Sequence, residues 1–159
     1  MPLGNKIFLA SDHAGFELKS RLLAFLTAQN RDVEDLGPAS YIATDDYTDT
    51  IPPAARAVAD APKLHRAIVI GLSGQGEAMV CNRFEGVRAA VYTGGGEDVV
   101  KLSREHNDSN VLSLGAKFVS GEEAERIVTV WLDTPFSGEA RHVRRIEKME
   151  QMPTRKPLL

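Results

Sequence analysis

Short β-rich apolar runs alternate with amphipathic helical stretches along this chain of 159 residues, and that alternation constrains its fold more than any other feature. Residues 6–10 (KIFLA) read as a strand. Phe16–Ala28 reads as a helix whose apolar side carries Phe16, Leu18, Leu22, Leu23, Phe25 and Leu26. Residues 32–36 form a weak second strand that ends at Gly37-Pro38, and 38–50, rich in Asp, Thr, Ser and Tyr, reads as loop. A helix is expected over 51–60, with Pro52 and Pro53 in the first turn, where missing N–H groups cost little. Residues 66–70 (RAIVI) are the strongest strand. They lead into a glycine-rich turn over 71–76 and a helix over about 76–83. Residues 88–92 and 111–114 read as the fourth and fifth strands. Between them Gly94, Gly95 and Gly96 permit a sharp turn into a helix running to about His106. Helices over Gly121–Asp133 and about 138–151 follow, and 152–159 reads as a loose tail.

Five strands alternating with helices predict a parallel sheet with helices on both faces. Right-handed crossovers make this a Rossmann-like three-layer α/β sandwich, expected as one domain over 1–151. In such sheets ligands bind outside the carboxyl ends of the strands. That rule selects Asp12 and His13 after the first strand, the loop 71–77 after the third, 93–96 after the fourth, and Lys117 past the fifth.

Composition narrows the function classes. A net charge of −3 argues against a protein that coats nucleic acid. The single cysteine, Cys81, rules out an internal disulfide, and the four scattered histidines give no zinc-type spacing. No apolar run approaches the roughly 18 residues of a membrane span, and the first residues lack a signal-peptide core. The expectation is a cytoplasmic protein without metal, nucleic-acid or membrane partners.

The segment Gly71-Leu72-Ser73-Gly74-Gln75-Gly76-Glu77 is the most informative. A glycine-rich strand-to-helix turn presents backbone N–H groups to an anion, whether a phosphate or an enediolate oxygen. Glu77, in the first turn of the following helix, can act as a general base if burial moves its pKa toward neutrality, or it can simply complement the helix end. The dinucleotide fingerprint fails here, because Met79 stands where the third glycine belongs and the turn follows the third strand. Asp12 reads either as a helix N-cap or, with His13, as a binder of sugar hydroxyls. His106-Asn107 closes a helix, where both residues also suit a helix end. That helix ends at the opposite edge of the sheet from the strand-end loops, so a catalytic His106 would have to serve a neighbouring subunit. Arg141 and Arg145 are four apart on one helix face and can grip a phosphate in bidentate fashion; the alternative is a solvated face of mixed charge.

Together these segments resemble the ribose-5-phosphate isomerase B and galactose-6-phosphate isomerase family. The resemblance rests on SDHAGFELK (11–19), the Asp46-Tyr47 loop, the glycine-rich loop with Asn82, GVRAA (86–90), SREHNDSNVLSLGAK (103–117) and ARHVRRIEK (140–148), in family order. It implies a homodimer, or a dimer of dimers, with sites shared between subunits. It also implies interconversion of an aldose and a ketose phosphate through an enediolate, without metal or nucleotide cofactor. Asp12, His13 and Tyr47 are then expected to contact the sugar, and Ser73, Gly74 and Gly76 to line the oxyanion nest. His106 is expected to assist ring opening with Asn107 beside it, and Arg141 and Arg145 to hold the phosphate. Many members place a catalytic cysteine at the end of the third strand, where this chain has Gly71. A subgroup with Ser-Gly-x-Gly-Glu uses the glutamate, which makes Glu77 the expected base, while Cys81 reads as a small core residue within a helix. The chain departs from the family at Lys117, where an arginine is usual, and at Thr48 and Thr50. Ribose 5-phosphate is the expected substrate. The alternatives are a six-carbon allose or galactose phosphate, a non-catalytic sugar-phosphate or nucleotide-binding module, and an NAD-dependent oxidoreductase.

Overall fold

The computed structural model describes residues 5–153; the outermost residues of the expected tail, 154–159, lie outside them. Strands β1 (Ile7–Ser11), β2 (Val33–Asp35), β3 (Arg66–Gly71), β4 (Ala89–Tyr92) and β5 (Val111–Gly115) form one parallel sheet in the order β2-β1-β3-β5-β4. Strands β1, β3 and β5 are its inner members and are buried almost throughout, which suits their continuous apolar runs.

Helices α1 (Phe16–Ala28), α5 (Glu97–Glu105) and α6 (Gly121–Asp133) cover one face. There Leu22, Leu26, Val100, Ile127 and Trp131 pack on Leu9, Ile68 and Leu112. Helices α2 (Tyr47–Thr50), α3 (Pro52–Asp60) and α4 (Gln75–Cys81) cover the other, where Ala54, Val58 and Cys81 meet Phe8, Ala10 and Val69. Every step toward β2 uses the first face and every step toward β4 uses the second, as right-handed crossovers require. A last helix, α7 (Ala140–Glu150), lies beneath the amino end of β4, where Arg88 binds Glu150 at 2.7 Å.

Three expectations are corrected. The segment 38–50 is not all loop: α2 forms within it, led by Asp46 in extended backbone. Its four residues are too few for a sequence period to register. The last helix begins at Ala140 rather than near 138, because Gly138 takes a positive φ of 67° ahead of it. Cys81 ends α4 rather than lying within it, though it is fully buried as expected and burial pushes its thiol up to about 12.

Candidate active site

The chain leaves β1 toward one face and β3 toward the other, so their carboxyl ends form the switch point of the sheet, the position at which open α/β sheets bind ligands. Asp12 lies on the β1 side. Its carboxylate accepts from the Gly15 N–H at 3.2 Å, capping the short 3-10 turn that precedes α1, while its own N–H donates to Ile70 O at 3.4 Å. A Cβ on Gly15 would collide with the Ile70 carbonyl, so only glycine lets the β1 turn lie this close to β3.

The β3 side carries the glycine-rich loop. Gly74, at φ 76°, turns the chain into α4, and Ser113 donates to its carbonyl at 2.6 Å. Glu77 follows in the first turn of α4 and is 4% exposed. Its carboxylate bends back over the end of β3 and fills the space that a Cβ on Gly71 would occupy. Burial raises its pKa above the usual carboxylate value, and the negative charge of Asp12 adds to the effect. The Glu77 carboxyl is thus buried with a raised pKa beside a loop whose Ser73 and Gly74 N–H groups have no acceptor among the described residues, an arrangement whose chemistry suits proton transfer next to an anion. Helix α4 has only two turns, so the loop donors rather than a long helix dipole supply that field.

Tyr47 overlies the same loop: a Cβ on Gly76 would sit 2.7 Å from its ring. His13 projects from the 3-10 turn, and Asp45 accepts both its backbone N–H, at 2.9 Å, and its Nδ1, at 2.7 Å. That bond raises the His13 pKa above its ordinary value, with Asp12 contributing a second negative charge. Asp45 was missed by sequence reasoning. It stands among Asp45, Asp46 and Asp49, and no local pattern says which carboxylate turns inward. Lys117 is exposed just past β5, its N–H bound to Leu72 O at 3.0 Å and its ammonium 6.0 Å from the Phe118 ring centroid.

The remaining expected residues are at the other end of the sheet. His106 ends α5, and its ring lies 4.3 Å from that of His142 on α7. Arg88, at the amino end of β4, binds the carbonyls of Asn107 and Asp108 at 3.0 and 3.1 Å. Arg141 is exposed and pairs with Glu139 at 2.9 Å, and Arg145 is exposed one turn further on. The length of β5, about 16 Å, separates this group from Glu77. Asn82, from the same quoted segments, ties the end of α4 to β4 through both backbone groups of Ala89. Among the described residues no His, Cys, Asp and Glu side chains converge to hold a metal ion, and no helix is long and apolar enough to cross a membrane.

Comparison with known proteins follows the same outline. The profile of the Ribose/Galactose Isomerase family matches residues 7–149. Ribose-5-phosphate isomerase B of Mycolicibacterium paratuberculosis is 39% identical over 143 residues, 89% of this chain and 87% of that protein. The Mycobacterium tuberculosis protein of the same name is 37% identical over 145 residues, with 91% and 87% covered. Among solved structures, ribose-5-phosphate isomerase B from Mycoplasma genitalium with bound ribulose-5-phosphate superposes with a TM-score of 0.87 at 37% identity, covering 92% of this chain and 94% of that one.

Proposed function

The chain belongs to the ribose/galactose isomerase family, and from that premise we propose that it interconverts ribose 5-phosphate and ribulose 5-phosphate with Glu77 as the base. The observation that carries the reading is the Glu77 carboxyl, buried above Gly71 beside the Ser73–Gly74 loop. The relatives named for this isomerisation, one of them solved with ribulose-5-phosphate bound, support the substrate. Glu77 takes the proton from C2 of the open-chain aldose and returns it to C1, while the O2 hydroxyl proton passes to O1, so that C2 becomes the carbonyl and C1 the alcohol. The Ser73 hydroxyl and the loop N–H groups of Gly74 and Gly76 hold the enediolate oxygen. One such donor is worth about 3 kcal/mol, and the base about 10²–10⁴-fold in rate. Asp12, His13 and Tyr47 face the sugar.

The chain acts as a homodimer in this reading. One protomer offers the proton-transfer half of a site at the carboxyl ends of the strands. It offers a cationic half, with His106, Asn107, Arg141 and Arg145, at the amino ends. A two-fold axis beside edge strand β4 brings the halves of opposite protomers together twice. His106 then promotes ring opening and the arginines hold the phosphate, with Lys117 reaching in from the Glu77 side. The half-buried β4 edge and the exposed Met79, Val99 and Leu102 on its flanking helices support that face as the contact.

Conversion of ribose 5-phosphate to ribulose 5-phosphate by purified protein tests the reaction. Wild-type turnover with near-normal turnover of Glu77→Gln would remove Glu77 from the role, and no turnover of any aldose phosphate would defeat the enzymatic reading.

A further inference from the structure

At the amino end of the sheet, away from Glu77, a cavity of about 450 Å³ lies beneath β1 and β3. Arg31, Lys63, Arg66 and Arg104 line it, against two carboxylates, Asp108 and Asp133. Neither carboxylate is free. Asp133 binds Arg31 at 2.6 Å. Asp108 is shared between Arg104 at 2.8 Å and Arg88 at 3.3 Å. Arg66 is left over. It is half-buried at the start of β3, and the only bond of its side chain among the described residues is from Nη1 to the His65 carbonyl at 3.0 Å. Lys63, exposed on the rim, has no ion pair among the described residues.

A partly desolvated guanidinium without a counter-ion is costly, and a second cation beside it raises the cost. Burial and the nearby Arg104 charge lower the Arg66 pKa from 12.5 to about 10. An anion in the cavity offsets both penalties, and a guanidinium fork with an ammonium lining the same cavity suits the oxygens of a phosphate. The geometry points to an anion site at the amino end of the sheet that takes a phosphate group, as free phosphate or a phosphomonoester, between Arg66 and Lys63. The cavity has room for a small molecule behind the phosphate. None of its lining residues belongs to the proposed isomerase site, so this site stands or falls independently of that reaction.

The test uses Arg141→Ala/Arg145→Ala protein, which removes the other arginines proposed to take phosphate. Inorganic phosphate and adenosine 5′-monophosphate are titrated separately against chloride at equal ionic strength, with arginine side-chain NMR signals and thermal midpoint as readouts. Binding of either probe should shift the Arg66 signal and raise the midpoint. Adding Arg66→Met should weaken binding about tenfold or more, and Lys63→Gln, an exposed change that leaves packing intact, should weaken it in the same direction. Preference for the nucleotide over inorganic phosphate assigns the site to a phosphomonoester, and equal binding assigns it to the bare anion. In the otherwise wild-type protein, Arg66→Met should leave isomerase rates unchanged. The site is refuted if neither probe moves the Arg66 signal, or if both bind the Arg66→Met and Lys63→Gln proteins as tightly as their parent.

Discussion

At the residue scale, Gly71 and Glu77 share one volume. A side chain at 71 and a carboxylate bent back from 77 cannot both sit at the end of β3. A strand-end cysteine and this glutamate are therefore alternative ways to fill the same space, and Gly71→Ala should push the Glu77 carboxyl out of place. A displacement on the order of 1 Å costs about a hundredfold in rate, so kcat should fall by about that factor while the circular-dichroism spectrum is kept. Burial also sets the sign of two pH effects. Because the folded pKa of Glu77 is raised, its charging opposes folding: its contribution to stability falls as pH rises from 4.5 toward the raised value. Glu77→Gln should thus unfold at equal or higher urea than wild type at neutral pH while losing about 10²–10⁴-fold in turnover. The acid limb of the wild-type kcat profile should lie above pH 4.5, since the base must be ionised to work.

At the element scale, the loop after β2 is held in place by a buried ion. Lys19 on α1 is wholly buried, and its ammonium binds both oxygens of Asp35, at 2.7 and 2.8 Å, and the Pro38 carbonyl at 2.7 Å. Asp35 in turn accepts from the Gly37 N–H at 2.8 Å, and the Gly37 carbonyl accepts from Ser11 at 3.2 Å. This tie joins α1, β2 and the end of β1, and fixes the start of the loop that carries Asp45 to His13. Lys19→Met leaves Asp35 half-buried without its cation and should cost about 3 kcal/mol, read from urea unfolding. The Asp45 carboxylate raises the His13 pKa, so the positive charge of His13 is full below 6.5 and is lost as pH rises through the higher folded value. In Asp45→Asn, NMR titration of the His13 ring should show a lower pKa, and KM for the sugar phosphate should rise more than kcat falls.

At the scale of the whole molecule, the two halves of the proposed site lie at opposite ends of one sheet, so only an assembly can close it. Mixed chains test this directly. Glu77→Gln and His106→Ala should each be nearly inactive as homodimers. Unfolded together and refolded, half of the dimers combine the two chains, and each of these carries one intact site, so activity should return to about a quarter of the wild-type value per site. No recovery in a mixture that demonstrably forms mixed dimers would show that His106 does not act across a subunit boundary.

Local sequence pattern is enough to dictate the layered α/β architecture. Strands buried on both faces must be continuously apolar, and covering helices must be apolar on one side, so the periodicities of 66–70, 111–114 and Phe16–Ala28 declare their elements without tertiary help. It also placed Asp12, Ser73 and Glu77 at strand ends, because a parallel sheet sends every such turn to the same edge. Which carboxylates are buried is set by the packing of the folded chain. Asp45 rather than Asp46 or Asp49 meets His13, Glu77 folds back over Gly71, and Arg66 has, among the described residues, no carboxylate partner of the kind that Arg31 and Arg104 find. Burial and pairing depend on segments far apart in the chain, and no local pattern encodes the distance between them.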